Sequence, residues 1–310
     1  MRRPATWKAL AVLTATWPLA QPAMAGWRED IGTFRVGIVA EPGAGNAIPG
    51  LTELNEAFGE ALGMKVEFFV ARSYPALIDA QVSGRIDYAV YSASAYAAAS
   101  LRCECIEPLV APTGEDGSTG IRSVLIVLDG KISTTDDLTG RKIALLPPDS
   151  VAGHQVPLAM FRPGGRSLSG TEDFLLQAGS AEAAETLLID GAADAIFGWI
   201  TAMPPNAPDA TPSGGTIARL EAAGIDRSRL TVVWQSDTLR YGPHAVSIAL
   251  DPDPKGRLTE FLTRMKLADP EMYERLEAYR LGGFTPAAAS DYALALEVAR
   301  SMAAPASDAQ

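Results

Sequence analysis

Val66-Glu-Phe-Phe-Val-Ala71, Tyr74-Pro-Ala-Leu-Ile-Asp-Ala-Gln-Val82 and Ile86-Asp-Tyr-Ala-Val-Tyr91 follow one another almost without a gap. In the first stretch Val66, Phe68 and Val70 fall at every second position, the period of a strand. In the second, Leu77, Ile78 and Val82 share one side of a helix, and Ser83-Gly84 stops it. The third is apolar again and reads as a strand. Upstream, Phe34–Val39 reads as a strand ending at Glu41-Pro42-Gly43, and Leu51, Leu54, Phe58 and Leu62 mark one helix face. Downstream, Ser94–Leu101 reads as a helix. Strands alternating with helices in this way predict a mainly parallel sheet with helices on its faces.

The alternation then restarts. Thr113–Gly120 is a loop rich in Gly and polar residues, and Ser123–Leu128 opens a fresh strand. Lys142–Leu146 and Ala193–Phe197 read as strands, Val156–Phe161 and Ala183–Ile189 as helices. A Pro-, Gly- and Ser-rich loop covers Pro204–Gly215, and Leu230–Trp234 and Ala245–Leu250 read as strands. The C-terminal part is helical over Gly256–Met265, Pro270–Tyr279 and Pro286–Met302, and Pro305–Gln310 is expected to fray. Two α/β halves with a reset near residue 115 predict two lobes. Periodicity leaves two homes for Leu230–Trp234 and the helices after it: an extension of the second half, or a return to the first.

The N-terminus reads as a secretory signal. Arg2, Arg3 and Lys8 precede an apolar stretch from Ala9 to Leu19, and Pro22-Ala-Met-Ala25 provides an A-x-A cleavage site before Gly26. That stretch is about 11 residues, against ~20 needed to span a bilayer. Residues 1–25 are therefore expected to be removed, leaving an exported, soluble chain. With 26 Lys and Arg against 37 Asp and Glu, the formal net charge is -11. Nucleic acid binding needs clustered basic residues, so this balance argues against it. A small anion is not excluded, because backbone N–H groups can bind one inside an acidic protein.

Cys103 and Cys105 are the only cysteines. Export permits a disulfide, but the spacing closes a very tight ring. The pair reads as part of a surface turn rather than a redox or metal site, and whether it is bridged stays open. Two Cys and two distant His do not match zinc-ligand spacing, so no metal is expected. No P-loop, dinucleotide fingerprint, nucleophile elbow or HExxH motif is present. Neither a catalytic residue nor a cofactor is expected.

The most informative local element is Lys142-Ile-Ala-Leu-Leu-Pro-Pro-Asp149-Ser150-Val151-Ala152-Gly153-His154-Gln155. It reads strand, tight loop, helix. Such a turn aims unpaired N–H groups and a positive dipole end at whatever sits in front. Ser150 either adds a hydroxyl to that site or simply caps an ordinary helix.

In order along the chain, Phe34-Arg-Val-Gly-Ile-Val39, Ser73-Tyr-Pro-Ala-Leu-Ile78, Arg122-Ser-Val-Leu-Ile-Val127, Asp136-Asp-Leu-Thr-Gly-Arg-Lys142, Pro148-Asp-Ser-Val-Ala-Gly153, Gly191-Ala-Ala-Asp194 and Leu281-Gly-Gly-Phe284 resemble the phosphonate/phosphite/phosphate family of periplasmic ABC-transporter binding proteins. The resemblance covers nearly the whole chain after residue 25. It implies a two-lobed class II periplasmic-binding fold, with a mainly parallel sheet flanked by helices in each lobe and a ligand cleft between them. On that basis the first lobe comprises residues 26–115 and 233–310, with Leu230–Trp234 as the strand that returns the chain to it, and the second lobe comprises 116–232. It implies a monomer that captures a small, anionic ligand in the periplasm and delivers it to an ABC permease and its ATPase. A ligand-sensing partner of a membrane receptor kinase, or less plausibly an enzyme on this fold, are the alternatives.

The ligand residues carry over in part. The family's cleft tyrosine matches Tyr74. Its hydroxyl-rich loop becomes Ser150, Val151, Ala152 and Gly153, with two hydroxyls lost, and the hinge-strand serine is Ser123. The cleft histidine falls on Ala181, a second tyrosine near Ile121, and two acids that hold an amino group fall near Thr201 and Gly242. His154, Arg122, Arg240 and His244 are the conceivable replacements. Trp199 and Tyr241 are expected to wall the cleft. The expected ligand contacts are thus Tyr74, Ser123, Ser150, Val151, Ala152, Gly153, His154, Trp199 and Tyr241.

Overall fold

The computed structural model describes residues 26–40, 50–130, 132–138, 140–204 and 214–303. Residues 1–25, the expected signal sequence, and Glu41-Pro42-Gly43 lie outside the described residues, as does most of the stretch 204–215. The chain runs α1 (Trp27–Ile31), β1 (Phe34–Val39), α2 (Leu51–Leu62), β2 (Val66–Ala71), α3 (Tyr74–Val82), β3 (Tyr88–Val90), α4 (Ala93–Cys103) and β4 (Ile106–Thr113). A second series follows: β5 (Gly120–Leu128), β6 (Ile143–Leu145), a π-turn (Val151–Gln155) leading into α5 (Val156–Met160), β7 (Leu175–Gln177), α6 (Ala181–Ile189), β8 (Ala195–Ala202), α7 (Thr216–Ala222), β9 (Leu230–Gln235) and β10 (Leu239–Arg240). The last elements are β11 (His244–Ser247), α8 (Pro252–Ala268), α9 (Pro270–Leu276), β12 (Gly283–Pro286) and α10 (Ala293–Ala303).

These strands form two sheets. The first has the order β12-β4-β11-β3-β1-β2, the second β10-β5-β8-β6-β7 with β9 also paired to β5. Each sheet has a parallel heart, β2-β1-β3 in one and β7-β6-β8 in the other. The remaining strands pair antiparallel, and β4, β5, β10 and β11 flank the two points where the chain passes between the sheets. The expected return at residue 233 comes later. Leu230–Gln235 pairs with β5 in the second sheet, and Trp234 packs edge-on against Phe161 and Phe197 in that sheet's core. Burial of its inner face thus holds β9 there, and the chain crosses only after Arg240.

Apolar packing explains why the helices sit where they do. Leu54, Phe58 and Leu62 of α2 pack with Leu258, Leu262 and Met265 of α8 on one face of the first sheet. Leu77 and Ile78 of α3, with Ala95, Tyr96 and Ala99 of α4, cover the other face. In the second sheet, α6 and α7 cover one face through Ala184, Leu188, Ile217 and Leu220. A further cluster joins Ala97 of α4, Val156 and Ala159 of α5, Leu239, and Leu294, Ala295 and Val298 of α10. It is an apolar contact between elements of the two sheets. Among the described residues no helix is long and apolar enough to cross a membrane.

The two cysteines are bridged, with Cα atoms 5.0 Å apart. Glu104 between them takes a left-handed conformation (φ 49°) that ends α4.

Candidate functional site

The crossovers fix which ends of the sheets meet. In the first sheet His244, at the start of β11, pairs with Val90, at the end of β3. In the second, Arg240 pairs with Gly120, and Gly120 with Ala202 at the end of β8. Three residues separate Arg240 from His244, so the carboxyl ends of the two parallel hearts confront each other across the crossovers. Ligands of open α/β sheets bind in the crevice outside such carboxyl ends. The crossover is tight: a Cβ on Gly242 would lie 1.9 Å from the Tyr91 carbonyl oxygen, so only glycine fits.

One local unit recurs along both edges. A serine follows a parallel strand and caps the next helix, its Oγ accepting an N–H three residues on. Ser73 does this for Ala76 (3.4 Å), Ser92 for Ala95 (3.2 Å), Ser150 for Gly153 (3.2 Å) and Ser180 for Ala183 (3.1 Å). A capping hydroxyl that accepts from the backbone still has its own O–H to donate. The first amides of each helix have no intrahelical acceptor, and the dipole end is positive. Chemically, this is an arrangement that receives an anion.

Within the Ser150 turn most polar groups are already engaged. His154 and Gln155 amides donate to the Ser150 carbonyl (3.0 and 3.1 Å). Ser123 Oγ donates to the Ala152 carbonyl (2.6 Å), and the Leu146 amide to the Gly153 carbonyl (3.1 Å). A Cβ on Gly153 would meet the Leu146 side chain at 2.5 Å. His154 is buried and donates Nδ1–H to the Leu146 carbonyl (2.7 Å). Ala152, Gly153 and His154 therefore shape the turn against β6. Ser150 and the half-buried Val151 are its accessible part, and Val151 also packs on the α4–α5–α10 cluster.

The other expected residues divide similarly. Tyr74, the first residue of α3, is 37% exposed at the first edge. Ser123 is buried and ties β5 to both the turn and Ser236, whose Oγ accepts its amide (3.0 Å). Trp199 lies opposite Ser123 in the β5–β8 ladder, half-buried, with the Arg219 guanidinium 5.8 Å from its ring. Tyr241 is fastened in the crossover: its amide donates to Thr119, its carbonyl accepts Tyr292 O–H (2.9 Å), its hydroxyl meets Ser118 Oγ (3.0 Å), and Arg280 stacks on its ring.

Of the conceivable replacement donors, two are structural. Arg240 donates to Thr285 Oγ1 (3.0 Å) and faces Asp291 (3.8 Å), clasping the crossover to β12 and to the turn that precedes α10. His244 is fully buried, bonded through Nδ1 to the Tyr88 hydroxyl, and burial lowers its pKa to about 3. It is neutral at ordinary pH. Sequence reading missed Ser92, whose only signal was a serine directly after a strand, and named Thr201 only as standing where the family has an acid; its Oγ1 is buried with no hydrogen-bond partner among the described residues. No cluster of three or more metal-ligating side chains occurs among the described residues.

A family model described as "ABC transporter, phosphonate, periplasmic substrate-binding protein" matches residues 38–292. The phosphate-import protein PhnD of Mycolicibacterium smegmatis is 26% identical over 200 residues, which cover 62% of this chain and 59% of that protein. Among solved structures, the Xanthomonas citri protein XAC2383 bound to ATP has a TM-score of 0.54 at 15% identity, covering 87% of this chain and 96% of that one. Transferrin 1 of Manduca sexta has a TM-score of 0.59 at 14% identity, over 87% of this chain and 46% of that one. Identities this low establish a shared fold and nothing finer.

Proposed function

The chain belongs to the family of periplasmic substrate-binding proteins of ABC phosphonate transporters, and from that membership we propose that it captures a small oxyanion between its two sheets and hands it to a membrane permease and its ATPase. The observation that carries this reading is the repeated serine-capped turn at both carboxyl edges. Four hydroxyls and four helix starts supply donors and positive dipole ends without a catalytic base or nucleophile. The relatives, a phosphonate-transporter family and a phosphate importer, point to the same ligand chemistry.

In this reading the first lobe is residues 26–115 together with the chain after Arg240, and the second lobe is the stretch between. Residues 1–25 direct export and are removed, which puts the mature chain in the periplasm. Ligand clasped by both edges favours the closed form over the open one by its extra contacts, and the crossovers at 114–119 and 241–243 are the places that bend. Ser150 and Tyr74 contact the ligand, one from each edge, while Ser123 and the Ala152–His154 segment hold the Ser150 turn in position.

A thermal-shift screen of the mature chain over phosphate, phosphite, methylphosphonate, sulfonates and carboxylates tests the reading, because a ligand that binds only the folded state raises the melting temperature. At least one phosphorus oxyanion is expected to do so. Ser150→Ala should then weaken its binding about tenfold or more, the loss of one hydrogen bond to a charged group. A screen in which none of these anions raises the melting temperature rejects the proposal.

A further inference from the structure

Arg122 differs from the other partly buried cations of the second sheet and the crossovers. Arg141, Arg219, Arg240 and Arg280 each face a carboxylate. Arg122 is half-buried, and its guanidinium has no hydrogen bond, ion pair or ring stack with any described residue. No Arg122 nitrogen is among the buried atoms that lack a partner, so the guanidinium reaches solvent with its donors free to meet a ligand.

Its position says what the missing partner is. Arg122 lies third in β5, opposite Ile200 and next to the Ile121–Thr201 pair, at the carboxyl edge of the second sheet. Val124 and Ile126, two and four residues on, enter the core beneath α6 and α7, so strand alternation sends Arg122 to that same face. There α6 packs on β5 and begins, with Ser180 as its cap and the small Ala181 as its first residue. A cation on the face where a positive helix end starts is unfavourable unless negative charge lies between them. The acids of α6 do not supply it to Arg122. Glu185 is bonded to Arg219 (2.8 Å), and Glu182 is held by its own backbone amide and Ser180, with Arg219 the nearby cation that favours its charged form. Thr201 Oγ1, on the opposite face of the same strand pair, is buried without a partner among the described residues and takes no part here.

We infer that Arg122 is the charged contact through which the second edge binds its ligand, and that this ligand is an anion without an ammonium group. The inference rests on the oxyanion site proposed above. An ammonium group would meet the Arg122 guanidinium at close quarters and be repelled by it.

Calorimetric titration of the mature chain with methylphosphonate, inorganic phosphate, methanesulfonate and 2-aminoethylphosphonate tests both parts. Methylphosphonate or phosphate is expected to bind more tightly than 2-aminoethylphosphonate. Arg122→Gln should weaken binding of the tightest probe about 10- to 100-fold and flatten its salt dependence, with the unliganded melting temperature little changed. Arg122→Lys keeps the charge and should fall between the two. Wild-type affinity and salt dependence in Arg122→Gln overturn the inference while leaving the oxyanion site standing. If the Gln variant does not fold, wild-type affinity in a folded Arg122→Ala, or a flat salt dependence in the wild type, has the same force. Tightest binding of 2-aminoethylphosphonate overturns the ligand class. Binding of none of the four anions overturns the site reading, and this inference with it.

Discussion

At the first sheet's carboxyl edge, Ser73 and Ser92 begin regular helices of nine and eleven residues, and the side chains there are open to solvent, Tyr74 at 37%. At the second sheet's edge Ser150 begins a five-residue π-turn that folds back on its own strand. That turn is held by Ser123 at Ala152, by Leu146 at Gly153 and by His154 at Leu146. The first edge thus offers side chains on ordinary helix starts, and the second a turn whose shape depends on residues far away in sequence. The contrast teaches that a shared local unit gives different sites once the long-range hydrogen bonds differ. The first edge should tolerate changes one residue at a time, whereas the second should fail as a unit.

The largest expected effect breaks the junction that holds the edges together. Gly242→Ala places a methyl against the Tyr91 carbonyl and should destabilise the fold by about 3 kcal/mol or more, read by urea unfolding. A loss below about 1 kcal/mol would show that the crossover has room to shift. Next comes acid. The buried His244 stays neutral when folded (pKa about 3) but takes up a proton near pH 6.5 when unfolded. The unfolded chain therefore binds more protons between these values, so stability falls as pH drops, by about 1.4 kcal/mol per unit from this group. In a folded His244→Gln variant, that part of the slope should vanish from unfolding curves between pH 6 and 4, and an unchanged slope would assign it elsewhere.

Ser123→Ala leaves the Ala152 carbonyl without its donor and should cost about 2 kcal/mol. It should also raise hydrogen exchange at Gly153 and His154 while the amides of α3 and α4 keep their protection. Uniform loss across both edges would contradict a turn held as a separate unit. The smallest effect is Ser92→Ala, a single cap at the first edge. It should cost about 1 kcal/mol and leave the Ser150 turn untouched by the same exchange measurement.

Much of the fold was legible locally. The strand, helix and strand read at residues 66–91 appear as β2, α3 and β3, with Ser73-Tyr-Pro opening the helix as capping chemistry requires. Strand β4 escaped notice because Pro108 and Pro112 argue against a strand paired on both sides. It forms between β11 and β12 nonetheless, with the ladder shifted at His244/Ala245, opposite Val110 and Pro108. Three-residue β7 was too short to show a period. At the site, the strand–turn–helix at Ser150 was readable, and the open question of hydroxyl or cap is answered in part: the Oγ caps, and its O–H is left over. That His244 is structural and that Arg122 has no partner among the described residues was not readable, since both facts depend on what packs around them.

By itself the sequence determined the alternation of strands and helices, the restart near residue 115, the strand–turn–helix at Ser150 and the acidic balance, because periodicity and capping act between residues a few positions apart. Tertiary structure decided which sheet took β9, which histidine was buried and neutral, which glycine the crossover demanded and which guanidinium was left without a counter-charge. Each of these turns on contacts between residues far apart in the chain, Trp234 with Phe161, His244 with Tyr88, Gly242 with Tyr91. Burial and pairing set their energies, and neither exists until the sheets have assembled.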